Sequence, residues 1–195
     1  MTLRPDLAVI AANVRHDARV LDIGCGDGAL MDILQTVNNC DARGMEIDAE
    51  LVERCVARGL SVVQGDADRD LADYPDKAFD YTIMSQTLQT AERPDLMLDE
   101  LLRVGAKAFV SFPNFAHWRT RSALMFGGRM PVTRALPVTW YETENIHHVT
   151  VRDFRELLAL KNVQEEASWF FTDQRQIGSP GANWRAEFAV FLLSR

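Results

Sequence analysis

Between Leu101 and Tyr141 the chain has no aspartate or glutamate, although it carries 28 acidic residues in all. Six cations fall in the gap: Arg103, Lys107, Arg119, Arg121, Arg129 and Arg134. The first hundred residues are the reverse, with twenty acids against nine basic residues, and the net charge of -7 excludes a general nucleic-acid binder. Such a gap reads either as chance plus a buried strand that excludes charge or as a local positive patch for an anionic ligand or an acidic partner. Long apolar runs are also missing. The longest near the N-terminus, Leu7 to Ala12, is far too short to cross a bilayer. No basic segment precedes it and no cleavage site follows, so neither a signal peptide nor a membrane role is expected. Cysteine is scarce, and Cys25, Cys40 and Cys55 form no CxxC pair. That excludes a disulfide framework and a thiolate zinc site and suits a reducing, cytoplasmic setting. No metal site is expected, because His147 and His148 are adjacent and would point apart in an extended segment.

What is present alternates. Strand-like runs at Arg19–Gly24, Ala42–Ile47, Leu60–Gly65, Phe79–Ser85 and Lys107–Phe112 are separated by helical patterns at Asp27–Val37, Asp48–Gly59 and Pro94–Val104. Strict alternation is the signature of a parallel sheet covered by helices on both faces. A further helix at 152–160 precedes two apolar runs, and the Gly-Ser-Pro-Gly turn between them favours an antiparallel pair. The fold class is therefore α/β: a doubly wound, mostly parallel seven-stranded sheet, Rossmann-like, with the last strand antiparallel. One domain is expected over 1–195, with an inserted lid or partner segment at about 113–150 broken by Pro113, Gly127, Gly128, Pro131 and Pro137.

The most specific local element is Val-Leu-Asp-Ile-Gly-Cys-Gly-Asp-Gly, in which Gly24, Gly26 and Gly28 alternate at a strand-to-helix turn directly after Asp22. Glycines there let the backbone bend and approach a ligand, and the helix start favours an anionic group. A dinucleotide fingerprint would place its third glycine one residue later. This spacing, with the preceding acid, resembles motif I of class I S-adenosylmethionine (SAM) methyltransferases. In that resemblance Asp22 faces the methionine amino end, and Glu46, ending the second strand, accepts the ribose hydroxyls. Asp66 and the backbone of Ala67 read adenine, and Ser85 lies at the exit of the fourth strand. The implied cofactor is SAM or S-adenosylhomocysteine. Asp48 is expected to cap the following helix, and Asp68 and Asp70 to be solvated loop charges.

After the fourth strand comes Ser85-Gln86, without the Asn/Asp-Pro-Pro-aromatic motif that positions an exocyclic amine. The possible bases are His117, Tyr141, His147 and His148, and His117 and Tyr141 are the catalytic candidates. Across its length the chain resembles the MetW-type methionine-biosynthesis proteins, through the glycine motif together with Ser111–Arg121, Gly128–His147 and Thr150–Leu158. That resemblance implies a role beside homoserine O-acyltransferase as an accessory or regulatory partner, with SAM as a feedback signal. The alternative is an active methyltransferase on an unidentified small molecule. Asn114, Trp118, Arg119, Arg121 and Trp140 are the candidate substrate or partner residues. If they turn toward the cleft they favour chemistry, and if they turn outward they favour docking.

Overall fold

A computed structural model describes residues 3–133 and 136–195. Eight strands form one sheet: β1 (Arg19–Ile23), β2 (Asp41–Glu46), β3 (Ser61–Gln64), β4 (Phe79–Ser85), β5 (Gly105–Pro113), β6 (Gln164–Thr172), β7 (Arg175–Ile177) and β8 (Phe188–Ser194), in the spatial order β3-β2-β1-β4-β5-β8-β6-β7. The first five pair in parallel, and β8 inserts antiparallel between β5 and β6. The strand order reverses beside β1, so the carboxyl ends of β1, β2 and β4 leave a crevice suited to a ligand.

Side chains of β5 show how the sheet divides two cores. Ala108, Val110 and Phe112 point to one face and Phe109 to the other, as strand alternation requires. The first face is covered by α5 (Pro94–Val104) and α7 (Val151–Leu160), with Phe112, Phe154 and Phe191 clustered at centroid distances of 4.8–5.7 Å. The second is covered by α1 (Pro5–Asn13), α2 (Ala29–Thr36) and α3 (Ala49–Ala57). Asp48 caps α3, accepting from the N–H groups of Glu50 and Leu51.

The sheet has eight strands where the sequence suggests seven. The extra strand, β7, is three residues long and pairs antiparallel with β6 across Asp173 and Gln174, both in left-handed conformation (φ 44° and 67°). Hairpin turns of that kind are usually marked by Asn-Gly or Asp-Gly, and Asp-Gln does not announce one. Short helices α4 (Ala67–Asp70), α6 (Trp118–Ser122) and α8 (Ala182–Arg185) complete the elements, and α6 runs into a π-helical turn, Ala123–Gly127. Among the described residues, the segment after β5 is otherwise irregular up to Thr150, whose hydroxyl caps α7.

Candidate functional site

The chain leaves β1 through three glycines with positive φ: 69° at Gly24, 57° at Gly26 and 74° at Gly28. They do different work. A Cβ on Gly28 would lie 2.3 Å from Leu60 Cδ1, and one on Gly24 would lie 2.6 Å from Thr87 Oγ1, so these two positions let neighbouring side chains pack closely. A Cβ on Gly26 would meet nothing within 4 Å. Gly26 is where bare backbone borders open space, a cavity of about 690 Å³ also lined by Arg4, Asp22, Cys25 and Ser85.

Asp22, which lines that cavity, is 3% exposed, and its carboxylate accepts no hydrogen bond from the described residues. Burial pushes its pKa up to about 7; Arg4 pulls it down and Glu46 adds to the rise. A buried carboxylate with no protein donor is a place for a cationic ligand group, whose charge would favour ionised Asp22.

Glu46 ends β2 with its carboxylate held by backbone: Oε1 accepts from Ile47 and Asp48 (2.9 and 3.1 Å) and Oε2 from Gly26 (2.8 Å). A carboxylate has about four acceptor sites, so Oε2 keeps one for a ligand hydroxyl. The third bond also ties the glycine loop to β2. Glu46 faces a second cavity of about 310 Å³, lined with Ile47, Asp66, Ala67, Met84 and Thr87. Asp66 caps α4 by accepting from Asp68 N–H (3.1 Å), and its own N–H donates to Asp70 Oδ2 at 2.7 Å. Asp68 accepts from Glu92 N–H at 3.0 Å. Asp68 is exposed, as expected of a loop charge, and also fixes the loop by accepting from Glu92; Asp70 is half-buried and accepts from Asp66, four residues before it. The donor set suits a ligand with a cation at one end, hydroxyls at its middle and an apolar ring at the other.

Ser85 is brought to the same crevice by β4, where its hydroxyl donates to Asp6 Oδ2 (2.8 Å) and accepts from Arg4 Nη2 (3.0 Å). Arg4 also grips Asp6 through Nε and Nη2 (3.2 and 2.9 Å), and Ser111 lies 3.1 Å from Ser85. Sequence reasoning missed Arg4 and Asp6. Asp6 is 2% exposed, yet in the chain it reads as an ordinary first-turn acid of a helix. Gln86 was missed too; it stands at φ 60°, a conformation uncommon outside glycine.

The residues beyond β5 separate into two groups. Asn114 is buried and its amide is fully used: Nδ2 donates to Asn183 O (3.1 Å) and Ala186 O (2.8 Å), and Oδ1 accepts from Ala116 and Val151 (3.2 and 3.3 Å). His117 is also buried, with Nε2 unpartnered, and burial holds its imidazole below the ordinary pKa range. It lines neither of the two cavities. Trp118, Trp140 and Tyr141 turn outward, the last two 74% and 69% exposed, and Leu124, Met125 and Phe126 join them at the surface.

Of the six cations, three are paired with acids, and Arg129 is exposed without an ion pair among the described residues. Arg103 pairs with Glu100 and Asp76 (2.7 Å each), and Lys107 pairs with Glu166 (2.5 Å) at the opposite edge of the sheet. Arg119 reaches Glu187 at 3.2 Å and lies 5.4 Å from the Trp118 ring centre. Arg121 donates to Ala116 O (2.6 Å) and lies over Trp184. Arg134 lies outside the described residues. The gap was free of acids only along the chain; folding supplies them from neighbouring strands and helices. The exposed character that remains is aromatic and apolar. Among the described residues no His/Cys/Asp/Glu group could hold a metal, and no helix is long and apolar enough to cross a membrane.

A profile of the family described as "Methionine biosynthesis protein MetW" matches residues 4–193. A curated relative, the bifunctional methionine biosynthesis protein MetXA/MetW of Rhodopirellula baltica, is 33% identical over the whole of this chain. The chain spans about a third (33%) of the length of that relative. Among solved structures, an S-adenosylmethionine-dependent methyltransferase from Mesorhizobium loti superposes with a TM-score of 0.71 at 17% identity, covering 98% of each chain. A SAM-dependent methyltransferase from Archaeoglobus fulgidus gives 0.69 at 15%, covering 97% of this chain and 94% of its own. At such identities these structures establish the methyltransferase fold alone.

Proposed function

The chain belongs to the MetW family of methionine biosynthesis proteins, and from that premise we propose that it is a SAM-binding accessory subunit of homoserine O-acyltransferase. The observation that carries the partnership is the relative named MetXA/MetW, in which a part like this chain shares one polypeptide with a MetXA part. Fusion fixes two modules at high effective concentration, which suits partners that must meet. The outward aromatics support the same reading: Trp118, Phe126, Trp140 and Tyr141 are exposed, and aromatic residues dominate interface hot spots.

SAM is the ligand whose parts match the crevice. Asp22 would face the methionine end, the remaining acceptor of Glu46 would take a ribose hydroxyl, and Asp66 with the backbone of Ala67 would meet adenine. Bound SAM offers a sulfonium-activated methyl group, but neither catalytic candidate lines the two cavities that would hold it, since His117 is enclosed and Tyr141 faces outward. The regulatory reading therefore stands ahead of methyl transfer. It requires SAM to bind the free and complexed protein with different affinity, because equal affinity shifts no equilibrium.

Co-purification with homoserine O-acyltransferase, with acyl transfer assayed in the presence and absence of this chain, tests the partnership. A stable complex and a changed rate are expected; no complex and no change would return the methyltransferase reading to first place. SAM titrated by calorimetry against the free chain and the complex tests the regulation, which identical dissociation constants would sink.

A further inference from the structure

Beyond the glycine-loop crevice lies a third cavity, of about 350 Å³, at the same edge of the sheet between Arg4, Asp6, Gln86, Gln174 and Glu187. It adjoins the glycine-loop cavity through Arg4 and the cavity over Glu46 through Gln86. Pro137, from the irregular segment after β5, closes one side. The volume falls within the range of small-molecule sites.

Two carboxylates in its wall are more than nine-tenths buried, Asp6 at 2% and Glu187 at 7% exposed. Asp6 is filled at Oδ2 by Arg4, Ser85 and Ser111 and accepts from Arg4 Nε at Oδ1. Glu187 Oε1 accepts from Arg119 (3.2 Å) and Oε2 from Asp173 N–H (3.0 Å), which leaves an acceptor site on each oxygen. On the other side, Arg4 spends Nε and Nη2, and among the described residues its two Nη1 hydrogens have no acceptor. The Gln86 side chain is likewise without a hydrogen bond among those residues, on a backbone held at φ 60°. Backbone strain of that sort gathers where a side chain must be aimed.

The wall carries Arg4 against Asp6, and its Glu187 is paired with Arg119 from outside the lining, so the charges about the cavity balance and suit a ligand with no net charge. Its unused groups are a cationic donor pair and an anionic acceptor pair facing one cavity. We propose that this cavity binds a small zwitterionic α-amino acid, its carboxylate on the Nη1 edge of Arg4 and its ammonium on Glu187. Gln86 donates or accepts at the side chain between them. The proposed site does not rest on acyltransferase binding, and it shares Arg4 with the glycine-loop cavity.

Calorimetric titration of the full chain with L-homoserine, L-methionine and glycine tests this directly. Saturable binding of at least one is expected. Two truncated probes, 4-hydroxybutyrate without the amine and 3-aminopropanol without the carboxylate, should each bind at least about tenfold more weakly, the loss of one charge-assisted contact. Glu187→Gln should weaken the amino acid by a similar factor, and the truncated probes decide the question if that variant fails to fold. Failure of all three amino acids to bind, or equal binding of the truncated probes, overturns the proposal. So does loss of binding in Asp22→Asn with binding retained in Glu187→Gln, which would move the amino acid into the glycine loop.

Discussion

Asp22 is a buried carboxylate whose ionisation costs stability. Its folded pKa of about 7 lies above the ordinary 3.8, so between those values the folded chain holds a proton that the unfolded chain has lost. Stability from this group therefore falls as pH rises from about 4 to 7. A gap of about three pH units corresponds to about 4 kcal/mol as an upper bound. Asp22→Asn should be more stable than the native chain at pH 8, with the advantage shrinking at pH 5, as urea denaturation at both values would show. SAM binding to the native chain should tighten between pH 6 and 8 and be flat in the variant. The glycines offer a second contrast at this scale. Gly28→Ala meets both a positive φ and Leu60, and should cost several kcal/mol, on the order of 3, in chemical denaturation. Gly26→Ala meets only the φ penalty of about 1 kcal/mol, and its larger effect should be on ligand affinity.

At the scale of elements, Asn114 joins the exit of β5 to the start of α7 and the end of α8. Asn114→Ala leaves two carbonyls and two N–H groups without that partner and should destabilise the chain by about 2–4 kcal/mol. Hydrogen exchange at Val151 N–H should quicken at the same time; an unchanged midpoint and exchange rate would remove Asn114 from this role. The glycine motif, the Asp48 cap and the five parallel strands were legible because each rests on local chemistry: turn conformation, a first-turn acceptor, apolar periodicity. β7 was not legible, since three residues carry no periodicity and Asp-Gln gives no hairpin signal. Nor was the tie between Asp6 and Ser85, which lie 79 residues apart in the chain.

For the whole molecule, the question is which surface meets other proteins. Phe126 and Trp140 are 82% and 74% exposed, so they contribute little to the core. Replacing both with alanine should change unfolding free energy by no more than about 0.5 kcal/mol per site. The same change should weaken capture of homoserine O-acyltransferase by at least about tenfold in a binding assay, as expected for aromatic anchors. Undiminished capture would move the docking surface elsewhere.

By itself the sequence determined the sheet, the glycine turn and the family, because strand-helix alternation and backbone conformation are dictated by neighbours in the chain. Only the tertiary structure decided where charge goes. It paired three of the six cations of the acid-free stretch, Arg103, Lys107 and Arg119, with Glu100, Asp76, Glu166 and Glu187. It buried Asp6 and Asp22, and it set Arg4 and Glu187 across one cavity. Electrostatic partners act through space at a few ångströms, and chain order carries no record of which charges folding will place that close.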